Sequence, residues 1–179
     1  MNMNKYRDEA FRIATSHGFH DEEHSADHWI CLIISELMEA VEADRKGLRA
    51  DLDAFEKYEP KICFEENFER HIKDTIEDEL SDACIRILDL AGYKDIDLEF
   101  NGTESSEISR NAMFTENVLV VCRFISGSSR DTEDLYVRLN YAMILIFTLA
   151  KHLRINIKKH IEMKMRYNDS RPYKHRKQY

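Results

Sequence analysis

Apolar residues recur three and four positions apart through most of the chain, the spacing that lines one face of an α-helix. Ala26, Ile30, Ile33, Leu37, Ala40 and Val41 form one such stripe, between Ser25, suited to capping a helix start, and Gly47, suited to ending one. Ile72, Ile76, Leu80, Ala83, Ile87 and Ala91 form a second, stopped by Gly92. The pattern predicts helices over about 25 to 46 and 64 to 91, preceded by a short amphipathic helix over 5 to 16. Two more are expected over 108 to 126 and 132 to 153, on either side of "SGSSRD", where Asp131 can cap and Glu133 and Asp134 suit a helix start. A last helix over 157 to 168 ends before Pro172. "LRADLDAFEKYEP" reads as a polar linker with room for a turn of helix, and residues 93 to 107 read as loop. With five glycines, two prolines and no sustained alternation, the expected fold class is all-α, a bundle of long helices joined by short links.

A chain of 179 residues fits one domain and can bury a core without covalent staples. Its four cysteines, Cys31, Cys63, Cys84 and Cys122, include no Cys-x-x-Cys pair and are expected to be reduced and mostly buried. The N-terminal stretch carries acids and no apolar run, and "YAMILIFTLA" is about half the length of a membrane span. The expectation is a cytoplasmic protein without a membrane anchor. The net charge of −8 is unevenly spread: from Lys151 onward ten Lys and Arg face two acids, a local +8 that leaves −16 on the rest. An acidic body with a basic tail can bridge a metal and a phosphate, bind nucleic acid, or pair with itself.

Acids inside the apolar stripes sharpen that choice. Residues three apart on a helix share a face, so Glu36 pairs with Glu39 and Glu79 with Asp82. Glu36 has Leu32, Ile33 and Ala40 as helical neighbours, and Glu79 has Ile76 and Ala83. An ionised carboxylate there costs several kcal/mol unless a cation meets it. Packing the two stripes together brings four acids to one place, and a divalent ion would stabilise them; oxygen-only ligands suit Mg²⁺, with Mn²⁺ as a substitute. Glu77 and Asp78 fall at the edge of the pattern and are expected to be ordinary solvated acids, while Glu42 fits either description.

"ISELMEA" (34 to 40) followed by "EDELSDA" (77 to 83) resembles the paired motif of the MazG-like all-α nucleoside triphosphate pyrophosphohydrolases, Glu-Glu-x-x-Glu and then Glu-x-x-Asp. Glu36 and Glu39 match the second and third acids of the first motif, Ser35 stands in place of its first, and Glu79 and Asp82 match the second motif. The gap between the motifs is longer than the family's. "HIEMKMRYNDSRPYKH" resembles the family's terminal helix, with Lys164, Asn168 and Arg171 at its functional positions. The resemblance covers about 17 to 92 and 141 to 179, leaving 93 to 140 as a family-atypical helical insertion within a single domain. It implies an Mg²⁺-dependent hydrolase that converts NTPs or dNTPs to the monophosphate and pyrophosphate, working as a homodimer or larger homo-oligomer. It also implies that Glu36, Glu39, Glu79 and Asp82 are metal-binding and catalytic, and that Lys164, Asn168 and Arg171 bind substrate.

Two rivals remain in the residues themselves. His24 and His28, four apart, could share a metal, but no His-Glu-x-x-His motif accompanies them; their segment could instead line a substrate pocket, with Phe19 or Trp29 against a base. The tail, where Tyr167, Tyr173 and Tyr179 alternate with Lys and Arg, could make the protein a non-catalytic module that binds nucleic acid or a partner. That reading leaves Glu36 unexplained.

Overall fold

The computed structural model describes residues 2 to 59, 61 to 99, 102 to 127 and 132 to 176. Among them are eight α-helices and no strand: α1 (Met3–Ser16), α2 (Ala26–Lys46), α3 (Leu52–Tyr58), α4 (Phe64–His71), α5 (Ile76–Tyr93), α6 (Phe114–Ile125), α7 (Thr132–His152) and α8 (Ile157–Ser170), with a 3₁₀ turn at Tyr173–Arg176. The all-α helix bundle expected from periodicity is therefore the fold. α5 is its central element, packed against α1, α2, α7 and α8, and Leu80, Ala83, Cys84, Ile87, Leu88, Leu90 and Ala91 are all buried on it. α6 and α7 pack on each other, and α6 leans on α2. The run "YAMILIFTLA" lies in α7 and is core: Ala142, Met143, Leu145, Ile146, Leu149 and Ala150 are buried. None of the described helices is long and apolar enough to cross a membrane.

α2 begins and ends where its sequence signals it. The Ser25 side chain accepts from His28 N, and Gly47 closes the helix at φ 68°, in the left-handed region that a glycine adopts without strain. The second predicted helix, 64 to 91, is instead two. α4 stops at His71, Asp74 takes a left-handed φ of 61°, and α5 restarts at Ile76. The restart has its own cap: Thr75 Oγ1 accepts from Asp78 N at 3.3 Å, and the Asp78 carboxylate accepts from Asp74 N at 3.0 Å. The apolar stripe runs across this break because Ile72 is buried on a smaller core with Phe55, Phe64, Phe68, Met163 and Tyr167, while Ile76 belongs to the main one. Periodicity alone cannot register such a change of partner.

Smaller corrections follow. The linker after α2 carries a seven-residue helix, α3, not a single turn. α6 starts at Phe114, not 108, because Asn117 exchanges two hydrogen bonds of 2.9 Å with Ser109 and holds the preceding segment in turns. Asp131 and the side chain of Glu133 lie outside the described residues. All four cysteines are free, but Cys31 and Cys63 are exposed, Cys122 is half-buried and only Cys84 is buried; Cys31 occupies the outer side of α2 and Cys63 precedes the first turn of α4.

The end of the chain folds back over the α1–α2 loop. Lys174 N donates to His17 O at 2.8 Å, and the Tyr173 hydroxyl bonds Asp21. Gly18, at φ 80°, leaves space that the Tyr173 ring fills: a Cβ there would lie 2.1 Å from a ring carbon. This closure positions Arg171 at the C-terminal end of α8, beside the loop that carries Phe19.

Candidate functional site

The stripes of α2 and α5 face each other, and the acids expected on them meet. Oxygens of Glu36, Glu39 and Glu79 lie within 4.8 Å of one another, and a second group, Asp74, Asp78 and Glu79, meets the same limit. Glu36 and Glu79 are buried, at 3% and 4% exposure, while Glu39 faces solvent. Burial, reinforced by Asp78 and Asp82, pushes the Glu79 carboxyl up to about 9. Burial also raises Glu36, with Asp82 adding to the rise.

The chain supplies cations of its own to this cluster. Arg86, on α5, donates through Nε to Glu36 at 2.5 Å. Lys164, on α8, is 4% exposed and lies 2.8 Å from both Asp78 and Asp82. Its ammonium also sits 5.6 Å above the Phe68 ring, within reach of a cation–π interaction. The acids raise the Lys164 ammonium further above its ordinary range, although burial alone would lower it. Two of the four acids expected to bind metal are thus ion-paired within the protein, Glu36 with Arg86 and Asp82 with Lys164, and Glu36 also belongs to the triad with Glu39 and Glu79. At the place of the first motif's acid, the Ser35 hydroxyl donates to Leu32 O at 2.8 Å on its own helix.

Glu77 and Asp78 are not solvated edge acids: their exposures are 6% and 1%. Glu77 accepts from Arg49 Nε at 2.7 Å and from Ala50 N at 3.0 Å, anchoring the α2–α3 linker. Asp78 joins the acidic group, with burial pushing its carboxyl up to about 6. Both lie in the first turn of α5, where the unpaired N–H groups favour negative charge. Glu42 is a surface acid that pairs with Arg45 and Lys46 on its own helix.

Beside the acids lies a small cleft of about 70 Å³ that opens to solvent, lined by Phe19, Trp29, Asp82, Arg86, Asp89, Asn168 and Arg171 among others. It brings together Asp82, Asn168 and Arg171 of the expected site with the two aromatic residues singled out on the sequence. Arg86 joins cleft and acids directly, since it lines the first and bonds Glu36 in the second. Arg86 and Asp89 were not anticipated. A signal existed, because they follow Asp82 at four and seven residues, on the same helix face. His24 and His28 do stack, with ring centroids 4.3 Å apart, but the candidate metal groups among the described residues consist of carboxylates.

The basic tail pairs with its own body. Lys159 bonds Glu56 at 2.7 Å, Lys151 bonds Glu104, and Lys174 reaches Glu22 at 4.0 Å. In comparisons with known proteins, the chain matches no family model and gives no significant match to a curated protein or a solved structure.

Proposed function

We propose that this protein is a cytoplasmic enzyme that hydrolyses nucleoside triphosphates, NTP or dNTP, to the monophosphate and pyrophosphate with Mg²⁺, as its resemblance to the MazG-like enzymes implies. One observation carries the reading: three carboxylates within 4.8 Å of one another stand next to a cleft that combines aromatic walls with Arg86, Asn168 and Arg171. The donor set fits the ion. It is all oxygen, two of its members are buried and preorganised, and the exposed Glu39 leaves a side open for water and phosphate ligands. Mg²⁺, or Mn²⁺ in its place, would supply Lewis-acid stabilisation of charge developing on the phosphate oxygens.

The residues divide the remaining work. Glu36, Glu39 and Glu79 would hold the ion, whose positive charge would favour the ionised form of the Glu79 carboxyl that burial disfavours. Asp82 completes the acid cluster and orients Lys164 through their 2.8 Å contact. Arg171 grips phosphate oxygens, its planar guanidinium matching them in two-pronged fashion, and Asn168 hydrogen-bonds the nucleotide. Phe19 and Trp29 take the base between apolar walls. The exposed apolar side chains Met113, Leu119 and Phe124 on and before α6, with Val137 on α7, support assembly into a homodimer or larger homo-oligomer.

A panel of NTPs and dNTPs with Mg²⁺, assayed for pyrophosphate separately from orthophosphate, tests the activity. Pyrophosphate with the monophosphate is expected; orthophosphate with a diphosphate rejects the reading. Glu36→Gln and Asp82→Asn should each abolish turnover while preserving helical content, and full activity in both would remove the metal-site assignment.

A further inference from the structure

Asp89 is the acid in the cleft that this mechanism leaves unused. It is 7% exposed, yet it lines the cleft beside Phe19, Trp29 and Arg86. His20 Nε2 donates to its Oδ1 at 2.7 Å. The His20 ring is itself clamped, stacked on Tyr93 at 4.8 Å and 14°, with Trp29 at 5.0 Å and Phe11 at 5.1 Å. Among the described residues no protein donor meets Asp89 Oδ2. The result is a buried carboxylate, fixed from behind, with acceptor capacity left over on the wall of an aromatic cleft. Its Oδ2 is open to the cleft, where water or a ligand that donates hydrogen bonds can satisfy it.

We propose that Asp89 is the base-reading residue of the site and selects nucleotides whose base carries an exocyclic amino group over those with an imide edge, uracil and thymine. The assignment rests on the nucleotide reading above and goes beyond it by naming the substrate class. An ionised carboxylate only accepts hydrogen bonds. An amino group brings it N–H donors. An imide edge offers a single N–H between two carbonyl oxygens, whose lone pairs would face the carboxylate at close range. Arg86, three residues before Asp89 and on the same face of α5, supplies the complementary donors for a ring nitrogen or carbonyl next to the amino group. A site built to hydrogen-bond one edge discriminates strongly against an analogue that leaves its buried group unpaired.

Cytosine and uracil nucleotides match in size and differ at this edge, so they make the test. In the unaltered chain kcat/KM for CTP and dCTP should exceed that for UTP and dUTP by roughly tenfold or more. Asp89→Asn, which keeps an oxygen for His20 and adds an N–H₂ group able to donate to a uracil carbonyl, should bring the ratio to about one or reverse it. Equal rates, or a uracil preference, in the unaltered chain overturn the proposal, as does a cytosine preference that survives in folded Asp89→Asn. If that variant does not fold, the unaltered chain's ratio decides. If no triphosphate yields pyrophosphate, the activity falls but the cleft can still be tested by calorimetry of CMP and dCMP against UMP and dUMP. A cytosine preference there supports the base-reading role, and indifference or no binding ends it.

Discussion

At the scale of single residues, the site is a contest between burial and counter-charge. Glu36, Asp78, Glu79 and Asp82 crowd together, and the chain answers with two cations, Arg86 and Lys164. That leaves Glu79 without a cationic partner of its own, and its carboxyl, ordinarily near 4.5, rises to about 9. A carboxyl that binds its proton more tightly when folded lowers stability as pH rises, starting at the unfolded value and finishing at the folded one. The window is therefore pH 4.5 to about 9 for Glu79, with Asp78 acting the same way between 3.8 and about 6. Glu79→Gln, measured with a chelator present, should match the parent's Tm near pH 4 and exceed it increasingly up to about pH 9, by several degrees. A Tm difference that stays flat across that range would mean that Glu79 is not held protonated by its neighbours. The stripe made Glu36 and Glu79 legible as buried acids, because their helical neighbours are apolar. It could not reveal that Arg86 reaches Glu36 from the opposite helix, since that pairing depends on how α2 and α5 are set against each other.

At the scale of elements, the decisive feature is the restart at Thr75. It turns what reads as the middle of one helix into a first turn, and it answers why Glu77, Asp78 and Glu79 stand where a core begins: the α5 N-terminus favours them there. The signal lay in "TIED", a Thr followed three residues later by an acid, a capping pattern. It was masked by the unbroken apolar stripe from Ile72 to Ile76. α8 was legible as an element, but its burial was not: Met163, Lys164, Met165, Tyr167 and Asn168 are all buried, so the tail is part of the bundle as well as a source of charge. Lys164 is the tie between α8 and α5. Removing it leaves Asp78, at 1% exposure, facing Asp82 with no cation between them. Lys164→Ala should cost about 3–5 kcal/mol in a denaturant titration, the usual result of breaking a buried pair. Adding Asp78→Asn should recover part of that loss, because the stranded charge goes with it. A cost below about 1 kcal/mol would return Lys164 to the class of exposed ion pairs and free it for a role confined to substrate.

Over the whole molecule, the charge map separates two responses to salt. The −16 body and +8 tail of the sequence meet as exposed pairs such as Lys159 with Glu56 and Arg166 with Glu59, and each contributes little and is screened by added electrolyte. Raising KCl at pH 8 should therefore leave Tm unchanged or lower it slightly. The acid cluster responds in the opposite sense if it holds a divalent ion. Whatever binds the folded chain alone stabilises it by mass action, about 2.7 kcal/mol when the free ligand is a hundred times its Kd. MgCl₂ at matched ionic strength should then raise Tm by several degrees, and MnCl₂ should do the same. The rise should shrink sharply in Glu36→Gln, which removes one of the three converging carboxylates, and persist in Asp89→Asn, whose carboxylate faces the cleft and lies outside the metal-capable groups. The effect should also fade as pH falls below about 9, where protons begin to compete for the Glu79 oxygens. Equal responses to MgCl₂ and KCl would leave Arg86 and Lys164 as the cluster's only cations, and the triad would then be a consequence of packing α2 against α5, with no ion to hold.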